Sequence, residues 1–390
     1  MSYLVLARKW RPQRFEDMTG QDHVVQTLSH AIAQNRVAHA FLFCGPRGVG
    51  KTTAARLLAK ALNCQTGPTA TPCGTCDACK EIAAGNSVDV AEIDGASNNG
   101  VENVREIREN AQYLPQRDRH RIYIIDEVHM LSGAAFNALL KTLEEPPPHV
   151  KFIFATTEAH KVPDTILSRC QRHNFRRISG RVMIARLREI CRAEKVTLTD
   201  ASLSVIVRQA DGGMRDALSL LDQVIASSGD SPSEAEVAEA IGTVEQTIIH
   251  DFAKSLIRRE PEPLLRRVEE IFNRGLDLKR AMEEVAFYLR HIMVAQATGK
   301  PPAELSDLEQ QAVESLAREV EAAQVVRLFD IVHGSIWEVS RSPQPRWAME
   351  MVLLKAIHLS PTSSIPDLVT RLEKVVGAPG GRSPPANFRS

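Results

Sequence analysis

The sequence predicts an α/β domain, a parallel sheet with helices on both faces, followed by regions that are helical throughout. Three observations carry that expectation. Gly45-Pro46-Arg47-Gly48-Val49-Gly50-Lys51-Thr52 is a complete G-x-x-x-x-G-K-[ST] loop, set between the apolar run Ala40-Phe41-Leu42-Phe43-Cys44 and strong helix formers from Thr53 onward. Apolar runs alternate with helical segments as far as Arg177, the pattern of parallel strands joined by helices. Beyond Arg177 the strand signals stop.

Residues 1–36 combine a basic, aromatic lead-in with a helix in which Val24, Val25, Leu28, Ala31 and Ile32 recur at helical spacing after Asp22. They deliver the chain to the strand before the glycine loop. Further strands are expected over 88–94, 121–126 and 150–157, with helices over 101–113 and 133–144. Residues 181–242 read as short helices broken at Asp211-Gly212-Gly213. Residues 243–360 read as an amphipathic bundle that includes Leu264, Leu265, Val268, Ile271 and Phe272 and a helix over 281–294. One more helix is expected over 366–376, before the linker-like Gly377-Ala378-Pro379-Gly380-Gly381.

With 390 residues, 43% hydrophobic and 25% charged, the composition is that of a globular chain of two or three domains. Lys plus Arg and Asp plus Glu both number 48, so any surface for nucleic acid must be local. The stretch Tyr3-Leu4-Val5-Leu6-Ala7 is too short for a secretion signal, and no apolar run approaches the roughly 20 residues of a membrane span. A cytoplasmic protein is expected, whose seven cysteines are thiols or metal ligands rather than disulfides.

In the glycine loop, backbone N–H groups can turn inward on a polyphosphate and the following helix adds the partial positive charge of its N-terminus. Lys51 can reach β- and γ-phosphates, and Thr52 can hold Mg²⁺. Arg121-Ile122-Tyr123-Ile124-Ile125-Asp126-Glu127 is an apolar strand ending in two carboxylates. Asp126 can support the Mg²⁺ shell, and Glu127 can polarise an attacking water as general base. Cys64, Cys73, Cys76 and Cys79, spaced C-x8-C-x2-C-x2-C among turn residues, favour a closed structural Zn²⁺ site; a redox pair and an iron–sulfur cluster are the competing readings. Cys44, Cys170 and Cys191 read as isolated thiols. Three signals are weaker. Thr156 and Thr157 end a strand, where such pairs are commonly structural; Arg169 alone is a surface charge; Arg215 can reach phosphate or pair with Asp211 or Asp216.

Leu6-Ala7-Arg8-Lys9-Trp10-Arg11-Pro12, the glycine loop, the four cysteines and Asp126-Glu127-Val128-His129-Met130-Leu131 are joined by Asn137-Ala138-Leu139-Leu140-Lys141-Thr142-Leu143-Glu144-Glu145-Pro146-Pro147, Ala155-Thr156-Thr157, Ser168-Arg169-Cys170 and Arg215-Asp216-Ala217-Leu218-Ser219. Over residues 1–225 this set resembles the AAA+ ATPases and, within them, the gamma/tau family of bacterial DNA polymerase III clamp-loader subunits. Residues 243–360 are similar to that family's oligomerising collar only in being helical.

The resemblance implies an AAA+ nucleotide-binding domain over 1–179 with its zinc module at 64–79, a helical lid over 180–242, a collar over 243–360 and a flexible tail over 361–390. It implies ATP hydrolysis at subunit interfaces in the service of the DNA polymerase holoenzyme, with Mg²⁺ and Zn²⁺ as cofactors. Lys51 and Glu127 would be catalytic, Thr157 or its neighbour Thr156 the first sensor, and Arg215 the second. Arg169 would be an arginine finger reaching the site of the adjacent subunit. Nucleotide contacts are implied at Ala7, Arg11, Pro12, the glycine loop, Thr53, Asp126 and Arg215. The implied partners are other clamp-loader subunits, in a pentameric ring or spiral with several copies of this chain, the sliding clamp and primed DNA at replication forks. No membrane is implied. Arg105, Arg108, Arg117 and Arg119 are candidate DNA-facing groups whose plainer reading is a solvated face. Two alternatives are a nonhydrolysing scaffold subunit, opposed by intact Lys51, Thr52, Asp126 and Glu127, and a different AAA+ DNA motor, opposed by the cysteine module. The family's long form continues well past this length, so an end at Asn387-Phe388-Arg389-Ser390 fits a short gamma-like product, a truncated long form or a short homologue.

Overall fold

The computed structural model describes residues 4–242, 246–302, 305 and 307–358. The helix expected over 366–376 and the linker after it lie outside the described residues. The chain divides into two units, Met1–Ile241 and Gly242–Ser390.

The first unit is built on five strands, β1 (Ala40–Cys44), β2 (Val90–Asp94), β3 (Arg121–Asp126), β4 (Val150–Thr156) and β5 (Gln171–Asn174). They are all parallel and lie in the order β2-β3-β4-β1-β5. The apolar runs are continuous because both faces are covered. Phe41, Phe43, Ile122, Ile124, Ile153 and Ala155 enter one core, and Ala40, Leu42, Tyr123, Ile125, Phe152 and Phe154 enter the other. Strand β5 escapes the sequence pattern because it is a polar edge strand whose sole buried side chain is His173, set edge-on against Phe43 with ring centroids 5.7 Å apart. The strand expected over 88–94 begins two residues later, at Val90, and the helix expected over 101–113 stops at Asn110, leaving Tyr113 exposed.

Helices α1 (Asp22–Ala33), α2 (Lys51–Asn63), α3 (Asp77–Ala84), α4 (Val101–Asn110) and α5 (Gly133–Glu144) complete the sheet region. Helix α2 is buried along nearly its whole length, including Lys60 at 3% exposure. Helices α6 (Gly180–Glu194), α7 (Asp200–Gln209), α8 (Met214–Ser228) and α9 (Glu234–Ile241) share a separate core that also takes Leu6 and Ile178. The N-terminal lead-in is fastened to α6, since the Trp10 indole and the Lys9 amine both donate to Glu194, at 2.6 and 2.7 Å.

The second unit is helical throughout its described residues: α10 (Gln246–Arg258), α11 (Pro261–Asn273), α12 (Leu278–Thr298), α13 (Asp307–Glu319), α14 (Ala322–Gly334), α15 (Ile336–Arg341) and α16 (Pro345–His358). The long α12 runs through its centre and buries Met282, Val285, Leu289 and Ile292 against Phe252, Leu264 and Val332. No helix among the described residues is long and apolar enough to cross a membrane.

Candidate functional site

Adjacent strands β3, β4 and β1 bring their carboxyl ends to one edge of the sheet, and the glycine loop, the Asp126-Glu127 pair and the Thr156-Thr157 pair meet there. The glycine loop leaves β1, and the Gly45 amide donates to the Thr156 carbonyl on β4 at 3.1 Å. At Gly50 φ is +101°, a left-handed cap that turns the chain straight into α2, and at Gly48 it is +75°. The buried Lys51 amine donates to the carbonyls of Gly45 and Pro46, at 2.8 and 2.7 Å. Burial pulls its pKa below the ordinary lysine value, opposed by the negative charges of Glu127 and Asp126.

The Thr52 hydroxyl donates to Asp126 Oδ2 at 2.5 Å, which pairs the two oxygen groups expected to serve Mg²⁺. Glu127 sits in the left-handed region with φ +46°, a conformation that costs a non-glycine residue about 1 kcal/mol or more and that clusters at functional sites. Its carboxylate accepts the Thr157 hydroxyl at 3.1 Å and lies 3.5 Å from His129 Nδ1. Thr156 is fully buried and hydrogen bonds instead to His129 Nδ1, at 3.0 Å. The two neighbouring threonines are thereby separated, and only Thr157 touches the second carboxylate.

One cavity opens beside these groups. Its wall includes Ala7, Arg11, Pro12, Arg47, Gly48, Val49, Gly50, Lys51, Thr52, Thr53, Asp126, Glu127 and Arg215, so most of the predicted nucleotide contacts are brought together. Gly45 and Pro46 stand behind it as acceptors for the Lys51 amine. Arg169 is not in the wall. Its guanidinium donates to the Thr165 carbonyl at 2.6 Å and to Glu144 at 2.7 Å, and about a third of the side chain is exposed. Sequence reasoning missed the remaining wall, Trp10, Asp17, Met18, Thr19, Ile178, Arg186, Ile190, Met214 and Leu218. The helical periodicity around Ile190 and Leu218 was visible, but it reads equally as the core of the 180–241 helices. Arg186 lies over the Trp10 ring, 5.8 Å from its centroid.

The 180–241 helices meet the glycine loop directly. The Arg215 amide donates to the Gly48 carbonyl at 3.2 Å. A Cβ at Gly213 would stand 3.1 Å from the Arg47 carbonyl oxygen. This close backbone approach places the start of α8 against the loop.

The sulfurs of Cys64, Cys73, Cys76 and Cys79 all lie within 4.8 Å of one another. Cys64 directly follows α2, Cys76 caps α3 and Cys79 lies in its first turn. Backbone N–H groups of Cys73 and Cys76 point at the Cys64 and Cys73 sulfurs, each at 3.4 Å. The Cys76 amide and Thr75 bring the Cys73 thiol down to about 5, whereas burial pushes Cys79 up. Four convergent sulfurs with N–H donors on them fit a tetrahedral thiolate-bound metal. Cys44, Cys170 and Cys191 are free thiols that burial pushes upward, Cys170 to about 12 and Cys191 to about 11.

Comparison with known proteins places all three regions together. Residues 20–179 match the family model "DNA polymerase III, delta subunit", 183–230 the "DNA polymerase III clamp loader subunit, ATPase lid domain", and 233–372 the "DNA polymerase III subunits gamma and tau domain III". The chain is 42% identical to the tau subunit of Bacillus subtilis, over 96% of this chain and 67% of that one. It is also 42% identical to tau of Escherichia coli, over 94% of this chain and 57% of that one. Against the gamma subunit of Buchnera aphidicola it is 37% identical, over 92% of this chain and 99% of that one. It thus spans between about half and two thirds of the tau relatives' length and nearly all of the gamma relative's. Among solved structures, the RuvB branch-migration motor of Thermotoga maritima is similar at a TM-score of 0.46 and 17% identity, covering 86% of this chain and 94% of that one, a likeness that carries no functional weight. The chain belongs to the gamma and tau family of DNA polymerase III clamp-loader subunits.

Proposed function

We propose that this chain is the ATP-hydrolysing motor subunit of the bacterial replicative clamp loader, which opens the sliding clamp and places it on primed DNA for DNA polymerase III. The observation that carries the reading is the convergence of Lys51, Thr52 with Asp126, and Glu127 with Thr157 on one sheet edge beside a cavity walled by α6 and α8. With nucleotide bound, the Lys51 amine exchanges the Gly45 and Pro46 carbonyls for phosphate oxygens, and Thr52 and Asp126 hold Mg²⁺. Glu127 then takes a proton from the attacking water, and Thr157 keeps its carboxylate oriented. Pro12, Met18, Ile178 and Leu218 offer an apolar bed for the base. Arg215 reports the phosphate state to the lid. Arg169 completes the site of an adjacent subunit, a reading that its position away from this chain's own cavity supports.

The four cysteines hold Zn²⁺, which orders the 64–79 insertion and stays out of the chemistry. Residues 1–179 serve as the nucleotide-binding domain, 180–242 as the lid and 243–360 as the oligomerising collar. The partners are further clamp-loader subunits in a pentamer with several copies of this chain, the clamp, and primed DNA gripped by phosphate and shape. The assembly works in the cytoplasm, at replication forks. The test is ATP turnover by the assembly reconstituted with partner subunits, clamp and primed DNA. Hydrolysis no higher than that of a Glu127→Gln assembly would remove the motor role.

A further inference from the structure

Lys60 lies on α2 nine residues past Lys51 and is 3% exposed, yet none of the chemistry above uses it. A buried ammonium is costly unless its protons find acceptors. Here both acceptors belong to one residue: Lys60 Nζ donates to the Gln13 carbonyl at 3.1 Å and to Gln13 Oε1 at 2.8 Å. The other end of the Gln13 amide donates to the Arg11 carbonyl at 3.1 Å. The Gln13 and Arg14 amides donate in turn to Asp17 Oδ2, at 3.3 and 3.1 Å, closing a short loop on itself. Arg11, Pro12, Asp17 and Met18, which this loop presents, all line the nucleotide cavity. Asp17 is near enough to support the Lys60 charge against burial, so the brace closes back on the N-terminal strap.

We propose that Lys60 is a positioning residue of the nucleotide site: through Gln13 it pins the strap carrying Arg11 and Pro12 to the glycine-loop helix, and so holds the cavity wall that receives the adenosine part of the ligand. The proposal rests on the nucleotide reading above. It separates two portions of one site. The glycine loop and Lys51 hold phosphates, with Mg²⁺ on Thr52 and Asp126, independently of the strap, whereas the adenosine end depends on it.

The experiment measures binding of Mg·ATP and of Mg·tripolyphosphate, which has no adenosine, by titration calorimetry on the full chain. Lys60→Met keeps the aliphatic stem and removes the ammonium; Gln13→Ala truncates an exposed side chain and keeps the Gln13 carbonyl as an acceptor, and a thermal melt of each variant checks that it is folded. Each variant is expected to weaken ATP binding about tenfold, the scale of one lost buried hydrogen bond, with tripolyphosphate binding unchanged. The double variant is expected to match Lys60→Met, because removing the ammonium already breaks both hydrogen bonds to Gln13, the one to Oε1 that Gln13→Ala also removes included. ATP affinity unchanged in Gln13→Ala, or an equal loss of both ligands, overturns the positioning role. A wild-type chain that binds neither ligand overturns the nucleotide reading itself, and this proposal with it.

Discussion

Gly213→Ala is the substitution that isolates the contact between the 180–241 helices and the glycine loop. Gly213 precedes α8 with φ −96° and ψ 110°, so an alanine there meets no backbone strain. Space is the difficulty. The added methyl would lie 2.6 Å from Asp216 Oδ2, 3.1 Å from the Arg47 carbonyl oxygen and 3.3 Å from that of Ala210. The Asp216 carboxylate can swing away, but the Arg47 carbonyl is backbone of the phosphate loop and cannot. Overpacking of this kind costs about 1–3 kcal/mol, and because the two backbone oxygens, of Arg47 and Ala210, must each give by only a fraction of an ångström, it falls near the lower end. Lifting α8 to relieve it stretches the Arg215 to Gly48 hydrogen bond, worth about 1 kcal/mol. Against this, Gly→Ala stiffens the unfolded chain by about 0.4–1 kcal/mol. The net loss of about 1 kcal/mol should lower the melting temperature by only a few degrees, while affinity for a nonhydrolysable ATP analogue falls by about 5- to 30-fold, as 1–2 kcal/mol requires. Calorimetric titration and a thermal melt on the same sample separate the two effects. An unchanged affinity would refute the idea that binding depends on α8 closing against Gly48.

Arg169→Ala in the complete assembly should leave nucleotide binding intact and lower DNA-stimulated hydrolysis by about 10³-fold or more, measured as steady-state turnover; loss of binding instead would remove Arg169 from the finger role. Cys73→Ser should reduce bound zinc from about one per chain towards none, by elemental analysis, and lower the melting temperature, as the structural role proposed for the metal requires. Iron with visible absorbance in the wild-type protein would reassign the cluster. Burial holds the folded-state pKa values of His39, His120 and His173 below the usual 6.5, so the unfolded chain binds more protons as the solution is acidified. Their contribution to stability is complete above about pH 6.5 and is lost as pH falls below it; urea melts of wild type and His120→Gln at neutral and mildly acidic pH should show a smaller acid loss in the variant.

The glycine loop, β1 and β3 were legible in the sequence because strand burial on two faces and phosphate binding each impose a local pattern. The apolar part of the cavity wall was not. Trp10, Ile178, Ile190 and Leu218 come from four separate segments, and each taken alone satisfies an ordinary core position, so only the folded arrangement makes them one surface. Strand β5 was invisible for the opposite reason: as the edge of the sheet it buries a single side chain, and Gln171, Arg172 and Asn174 carry no apolar signal.

The threonine pair shows where local physics decides what a motif leaves open. Thr156 is the last residue of β4, at 0% exposure, and its hydroxyl bonds His129 and caps the Glu158 amide at 3.0 Å. Its hydroxyl is thus engaged by the protein on two sides, at the His129 ring and at the Glu158 amide. Thr157 follows the strand end, where successive side chains point to opposite sides, and its hydroxyl reaches Glu127 instead. Of the two, Thr157 is the one coupled to the carboxylate that would activate water, and strand alternation rather than residue type makes that choice.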